Sequence, residues 1–483
     1  MDFVRNIKNN KQIRESLIGL KNDIKDDSHI LEDEELKNKL MELLKDDDPK
    51  VRKNSAILLG YYPQTVPILL DAYQQETTDY VKEAYLKGMS KQDCRHYIQD
   101  LKAIQEELLR IDDETTKHIQ AQLKILNPLI LRNQIHKKKV IKLKHEPVDV
   151  VLTSLPYYQF VLFDAVLRYK YKPVVQGVLV RTDSIYDLLT IRTYKDMLLP
   201  LQRASQMDIN EEAIVEGLSN SNIEDILNKL YDDKSIFYFR VVDGMRQKNS
   251  PLIKKVSEKI FEIYPERLLN TTENYDIEIV LKEVRVGKVN AYLRLSHLDN
   301  PRFNYRKEVI ATSMQPYVAA TLVELGKHYM KEDAKVLDPF VGTGTLLIER
   351  NYLKPTRFAM GLDIYGDGVE AAKKNTKLAG QVIHYVHKDA LRFVNNEMFD
   401  EVITDMPTFA QMKDQEQLRD LYDRFFERLR RLVKPGGYVF LYTSEIALVR
   451  KNLRLQEGYI SLEEHYEIPR GKNMFYYFIM KMK

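Results

Sequence analysis

"AKVLDPFVGTGTLLIER" (334–350) decides the fold of the C-terminal part of this chain. Val336 and Leu337 read as a buried strand, Asp338 ends it, and a glycine turn follows. Gly342 and Gly344 let the backbone turn tightly and approach a ligand, because neither carries a Cβ. Thr345 to Arg350 then open a helix whose N-terminus points at that ligand. No Gly-Lys-Ser/Thr follows, so the turn is not a P-loop, and the third glycine of the dinucleotide fingerprint is missing.

Further strand-then-acid units follow downstream. "FAMGLDIYGDGVEAAKKNTKLAG" (358–380) holds a second strand that ends in Asp363, 25 residues after Asp338. A carboxylate at that spacing can accept ribose hydroxyls. "VIHYVHKDALRF" (382–393) ends a third strand in Asp389-Ala390, and "VITDMPTFAQM" (402–412) ends a fourth in Asp405. "LYDRFFERLRRLVKPGGYVFLYTSE" (421–445) gives a helix, a turn and a fifth strand. The late hairpin "YEIPRGKNMFYYFIMKM" (466–482) reads as a sheet edge without specific chemistry.

Asp-Pro-Phe-x-Gly-Thr-Gly-Thr (338–345) is similar to motif I of the class I S-adenosylmethionine methyltransferases. The resemblance implies a Rossmann-like α/β methyltransferase domain over 301–483 with S-adenosyl-L-methionine as cofactor. It places cofactor contacts at Asp338, Pro339, Phe340, Gly342, Thr343, Gly344, Thr345, Asp363, Ile364, Asp389, Ala390 and Asp405. Ala371, Ala372 and Asn375 match the family's Asp-Ile-x…Ala-x-x-Asn pattern, and Asp389-Ala390 matches the position that contacts adenine. No metal is implied.

The fourth strand end matches the Asn/Asp-x-Pro-aromatic loop of methyltransferases that act on an amino group of a nucleobase. An exocyclic amine is a poor nucleophile because its lone pair is shared with the ring. Acceptors on its hydrogens pull that pair out of the ring plane and aim it at the sulfonium methyl. Asp405 supplies one acceptor and the Met406 carbonyl another, and Pro407 holds Met406 extended. The aromatic that stacks on the base in relatives is replaced by Thr408, which leaves the role to Phe409. Catalytic positions are therefore Asp405, Met406, Pro407 and Phe409.

Upstream, "FNYRKEVIATSMQPYVAATLVELG" (303–326) resembles the segment that, in THUMP-containing RNA methyltransferases, bridges the THUMP part and packs over the cofactor. Residues 148–300 fit that resemblance. Strand signals at 148–155, 176–182 and 235–244, a helix at 250–265 and the hairpin joined by "RVGK" (285–288) follow the order of a ferredoxin-like plus THUMP-like α+β region. "RNQIHKKKVIKLKH" (132–145) lies in a basic linker, 132–147, with a phosphate-contacting strap as the alternative. Residues 1–131 show helical periodicity broken at Asp48-Pro49 and Tyr62-Pro63. "DDDPKVRKNSAILLG" and its echo "TTDYVKEAYLKGM", with Gly60 and Gly88 28 residues apart, suggest a HEAT-like module; a plain helical bundle is the alternative.

A chain of 483 residues, 44% apolar and 30% charged, is long enough for three or four folded domains. A net charge of +3 assigns any nucleic-acid binding to local basic surface. The single cysteine, Cys94, excludes an internal disulfide and a cysteine-rich zinc site. With no signal-peptide core or membrane-length apolar run, the expected location is the cytoplasm.

The expected activity is methylation of guanosine N2, in tRNA first and ribosomal RNA second. The N-terminal helices are available to a protein partner, and no membrane is involved. The alternatives are a catalytically reduced RNA-binding protein on the same fold, an adenine-N6 DNA methyltransferase, and a protein whose main role is interaction through its helices.

Overall fold

The computed structural model describes residues 3–23, 33–111, 116–133, 139–142, 146–232, 236–264, 267–412 and 414–483. Half of the basic linker, 134–138 and 143–145, lies outside the described residues.

The N-terminal region is helical: α1 (Phe3–Lys8), α2 (Ile13–Asp23), α3 (Glu34–Glu42), α4 (Pro49–Leu59), α5 (Val66–Gln75), α6 (Asp79–Met89), α7 (Ile98–Arg110) and α8 (Thr116–Asn133). Asp48 caps α4 through its side chain with Pro49 at the first turn, as the Asp-Pro signal requires. Consecutive helices pair, and α2 packs on α4, α4 on α6 and α6 on α8. Gly60 and Gly88 meet where α4 crosses α6. A Cβ on Gly60 would stand 2.5 Å from the Gly88 carbonyl oxygen, so the repeated glycines mark a close backbone approach. Arg52 ties the two layers with a bidentate bond to Glu76 at 2.8 and 2.9 Å.

The middle region contributes β1 (Val148–Thr153), α9 (Phe163–Val166), β2 (Lys170–Val174), β3 (Gly177–Thr182), β4 (Met197–Pro200), β5 (Met207–Asp208), α10 (Glu211–Ser219), α11 (Ile223–Leu230), β6 (Phe237–Gly244), α12 (Ser250–Ile263), β7 (Leu268–Asn270), β8 (Ile277–Arg285) and β9 (Lys288–Leu295). The hairpin expected around "RVGK" is β8–β9, with Gly287 at φ +74° in its turn. Strand β4 pairs with both β1 and β9, so the strands of the region form one continuous sheet in the order β2-β3-β1-β4-β9-β8-β6-β7. Sequence periodicity marks strands but not their partners, and β4 is only four residues long.

The C-terminal region begins with α13 (Pro316–Gly326) and continues β10 (Lys335–Asp338), α14 (Thr345–Leu353), β11 (Phe358–Asp363), α15 (Gly366–Leu378), β12 (His384–His387), β13 (Phe399–Asp405), α16 (Gln415–Leu432), β14 (Val433–Thr443), α17 (Ile446–Leu455), β15 (Ile460–Arg470) and β16 (Asn473–Met482). Its sheet runs β12-β11-β10-β13-β14-β16-β15, parallel except for β16. Order reverses between β10 and β13, so a crevice opens at their carboxyl ends, where Asp338 and Asp405 stand.

The middle and C-terminal regions share one apolar core. They are also joined by a buried polar link. Arg192 makes two 2.7 Å bonds to Glu349 on α14, and the Tyr305 hydroxyl donates to the same carboxylate.

Candidate active site

The glycine turn is held from below and from the side. Asp338 is 2% exposed and accepts from the Thr404 hydroxyl at 2.7 Å and the Phe340 amide at 3.1 Å. It thereby ties the turn to β13. Burial pushes its carboxyl up to about 8, outweighing those hydrogen bonds. Gly342 and Gly344 adopt φ +51° and +81°, a left-handed conformation that suits glycine. Gly344 is the N-cap of α14.

Asp363 does more than end its strand. One carboxylate oxygen accepts the Gly342 amide at 2.8 Å and the other the Tyr365 amide at 2.9 Å. Each oxygen keeps a further lone pair, and the residue is half-buried at the crevice. Asp389 accepts the Leu391 amide at 2.8 Å and is likewise half-buried, with Ala390 buried behind it. Ile364 is 54% exposed directly after Asp363. Two carboxylates with spare acceptor capacity, an exposed apolar side chain and a helix N-terminus fit an adenosine-bearing cation such as S-adenosylmethionine.

Thr343 and Thr345 are both 3% exposed, with their hydroxyls turned to one another and to Ser313. Ligand contact by this pair therefore falls to the backbone. Pro339 is buried, and Phe340 is half-buried against Phe425, ring centroids 5.5 Å apart.

Segment 303–315 closes over the turn through Asn375. Its side-chain oxygen accepts the Lys307 and Glu308 amides, and its nitrogen donates to the Glu308 and Thr343 carbonyls. A fully buried Arg350–Glu401 pair, 2.8 Å apart, locks α14 to β13.

At the β13 end the structure resolves which residue follows the proline outward. The Met406 amide donates to the Tyr442 carbonyl at 2.9 Å, and the Tyr422 hydroxyl donates to the Pro407 carbonyl at 3.0 Å. Thr408 is 6% exposed: its amide donates to the Gln411 side chain at 2.8 Å, and its carbonyl accepts the Gln411 and Met412 amides. The threonine builds a tight turn instead of facing the crevice. Phe409 comes next and is 43% exposed, its amide held by Glu445 at 3.0 Å.

Asp405 is half-buried, with no hydrogen-bond or ion-pair partner for its carboxylate among the described residues. Burial pushes it up to about 7, against the pull of the Arg470 cation. Sequence reasoning missed Gln411, Glu445, Tyr422 and Arg470. The first three act on backbone groups of the loop, and side-chain identity carries no mark of that. Arg470 stands 65 residues from Asp405 in the chain, so no local motif joins them.

Residues 303–464 match the family model described as "RMKL-like, methyltransferase domain". The chain is 26% identical over 186 residues to a tRNA (guanine(10)-N2)-dimethyltransferase of Methanothermobacter thermautotrophicus, covering 37% of this chain and 54% of that protein. It is 30% identical over 168 residues to the protein of the same name from Methanocaldococcus jannaschii, covering 33% and 46%. The chain thus spans about half the length of the curated relatives it matches. Among solved structures, TrmN from Thermus thermophilus aligns with TM-score 0.53 at 19% identity, over 70% of this chain and all of that one. SMU.472 complexed with SAH aligns with TM-score 0.53 at 16% identity, over 69% and 98%. At these identities the likeness shows the fold. Its extent, about 70% of the chain, is greater than that of the C-terminal region alone.

Proposed function

We propose that this protein is an S-adenosylmethionine-dependent RNA methyltransferase that methylates N2 of a guanosine, in tRNA first and ribosomal RNA second. The observation that carries the reading is the Asp405 carboxylate. Among the described residues it has no hydrogen-bond or ion-pair partner, and it stands at the switch point of the sheet, beside Met406 and ahead of the exposed Phe409. The names of the two curated relatives support the guanine amine as target.

The cofactor supplies an electrophilic methyl on a sulfonium. Asp363 and Asp389 would hold its ribose and adenine, Ile364 would lie along the ring, and the amides at the α14 N-terminus would receive its carboxylate. Asp405 and the Met406 carbonyl would accept the two N2 hydrogens, and Phe409 would stack on the base. The base must be flipped out of any helix to enter the crevice.

The sheet order β2-β3-β1-β4 is 4-1-3-2 in reverse, which supports a ferredoxin-like unit, and β6 to β9 with α12 support a THUMP-like unit that grips RNA by shape and phosphate. The stacked helix pairs support a HEAT-like module that binds a protein partner. Among the described residues no helix is long and apolar enough to cross a membrane, and we place the protein in the cytoplasm.

The test is methyl transfer from labelled S-adenosylmethionine to unmodified tRNA and ribosomal RNA transcripts, with nucleoside mass spectrometry of the product. N2-methylguanosine is the expected product. Cofactor and RNA binding without transfer would identify instead a protein that has kept the fold and lost the chemistry.

A further inference from the structure

Asp405 and Tyr442 are register partners at the ends of β13 and β14. Tyr442 is fully buried and its ring stacks on Phe475, with centroids 5.1 Å apart and planes 17° from parallel. The Arg470 guanidinium lies over the same Phe475 ring, 5.3 Å from its centroid. Arg470 comes from the last residue of β15, at the turn into β16, where Gly471 takes φ +64°. It is exposed and forms no ion pair among the described residues. Among the described residues the enclosed Tyr442 hydroxyl has no partner at full hydrogen-bonding geometry; Arg470 is close enough to act on it by hydrogen bonding as well as by charge, and Asp405 by charge. The hairpin therefore brings a donor-only cation, seated on an aromatic ring, to the strand end that holds the acceptor-only carboxylate.

We propose that Arg470 is the specificity contact of this site, donating to the O6/N7 side of the target guanine while Asp405 accepts from its amino group. The proposal rests on the reading of the target as guanine N2. A guanine whose N2 hydrogens face Asp405 presents O6 on the same Watson–Crick edge, with N7 beyond it. Arginine donors match that acceptor pair, the commonest specific arginine–base contact. Adenine presents an amino group at the O6 position, which arginine, having no acceptor, cannot satisfy. Lysine would keep the charge but not the planar fork. The hairpin thus serves as the second wall of the base pocket.

The experiment compares wild type, Arg470→Ala and Arg470→Lys on two RNAs. One is the tRNA transcript whose methylated guanosine has been mapped by nuclease digestion and mass spectrometry. The other is the same RNA assembled by ligation with 2-aminopurine at that position, which keeps the 2-amino group and lacks O6. On the guanine target Arg470→Ala is expected to lower kcat/KM roughly 10- to 100-fold, and Arg470→Lys to restore little of it. On the 2-aminopurine target, which keeps N7 but lacks O6, the loss from Arg470→Ala is expected to shrink to a few-fold, because the two-acceptor contact that Arg470 makes can no longer form. Equal losses on both targets would mean a phosphate contact and overturn the proposal, as would an unchanged rate on guanine. Wild-type protein that methylates no guanine N2 would overturn the functional reading and this assignment with it. Turnover by wild type with equal losses would remove the Arg470 assignment alone.

Discussion

Asp405 carries two consequences of one placement. As an acceptor it is strongest when ionised, because a protonated carboxyl loses its charge and turns one oxygen into a donor, and burial raises it to about 7. Transfer is therefore expected to fall about tenfold per pH unit below pH 7, as a pH profile of kcat/KM would show. Asp405→Ala should remove transfer while leaving calorimetric cofactor affinity nearly unchanged; full activity would take the carboxylate out of the mechanism. Asp338 acts on stability instead. Its folded carboxyl, raised to about 8, holds a proton that the unfolded chain releases near pH 4, the usual aspartate value. Its stabilising contribution is present below pH 4 and is lost as pH rises through 8. Urea midpoints should show Asp338→Asn stabilising the protein more at pH 8.5 than at pH 5.5. Thr408 and Phe409 separate in the same way. Phe409→Ala should cost about 1–3 kcal/mol of transition-state binding, read as kcat/KM on RNA. Restoring an aromatic with Thr408→Tyr should gain no activity and should cost about 1–3 kcal/mol of stability, because position 408 is enclosed.

At the scale of elements, the cofactor turn depends on contacts from three strands and two helices. Gly344 has φ +81°, and a Cβ there would stand 2.8 Å from the Tyr385 hydroxyl and 3.2 Å from the Ala372 Cβ. Gly344→Ala should therefore shift the start of α14 and weaken S-adenosylmethionine binding at least tenfold by calorimetry. Asp363→Ala should also weaken it, by a double route: the proposed ribose acceptor is lost, and so is the acceptor of the Gly342 amide. The glycine turn, the acids and their spacing were legible in sequence because each element encodes its own bend and its own end. The inward turn of Thr408 was not legible. It depends on Gln411 and Glu445, the second of which comes from the segment after β14.

Across the whole molecule, the Arg192–Glu349–Tyr305 cluster joins the middle sheet to the helix that follows the glycine turn. Glu349 is 2% exposed, so removing Arg192 leaves a buried carboxylate without its cation. Arg192→Ala should cost roughly 3–5 kcal/mol in denaturant unfolding. Because α14 carries the turn, the same variant should weaken cofactor binding although it touches no proposed cofactor residue. An unchanged affinity would mean that the two regions are coupled in stability alone. Such coupling would keep the proposed RNA-binding region and the proposed base pocket in fixed register, as a flipped base at a set distance from a bound stem requires.

The chain by itself determined the elements and the chemistry at their ends. Strand, acid, glycine turn and helix follow from local periodicity and local backbone freedom, and so do the paired glycines of the helical module. Tertiary structure alone decided which ends meet. It joined β4 to β9 and so made the middle region one continuous sheet, turned Thr408 inward and Phe409 outward, and seated Arg470 of an edge hairpin on the Phe475 ring that stacks on Tyr442, the register partner of Asp405. The physical reason is the same in each case. Pairing and burial depend on partners distant in the chain, and a side chain's identity does not state which partner will enclose it or leave it open.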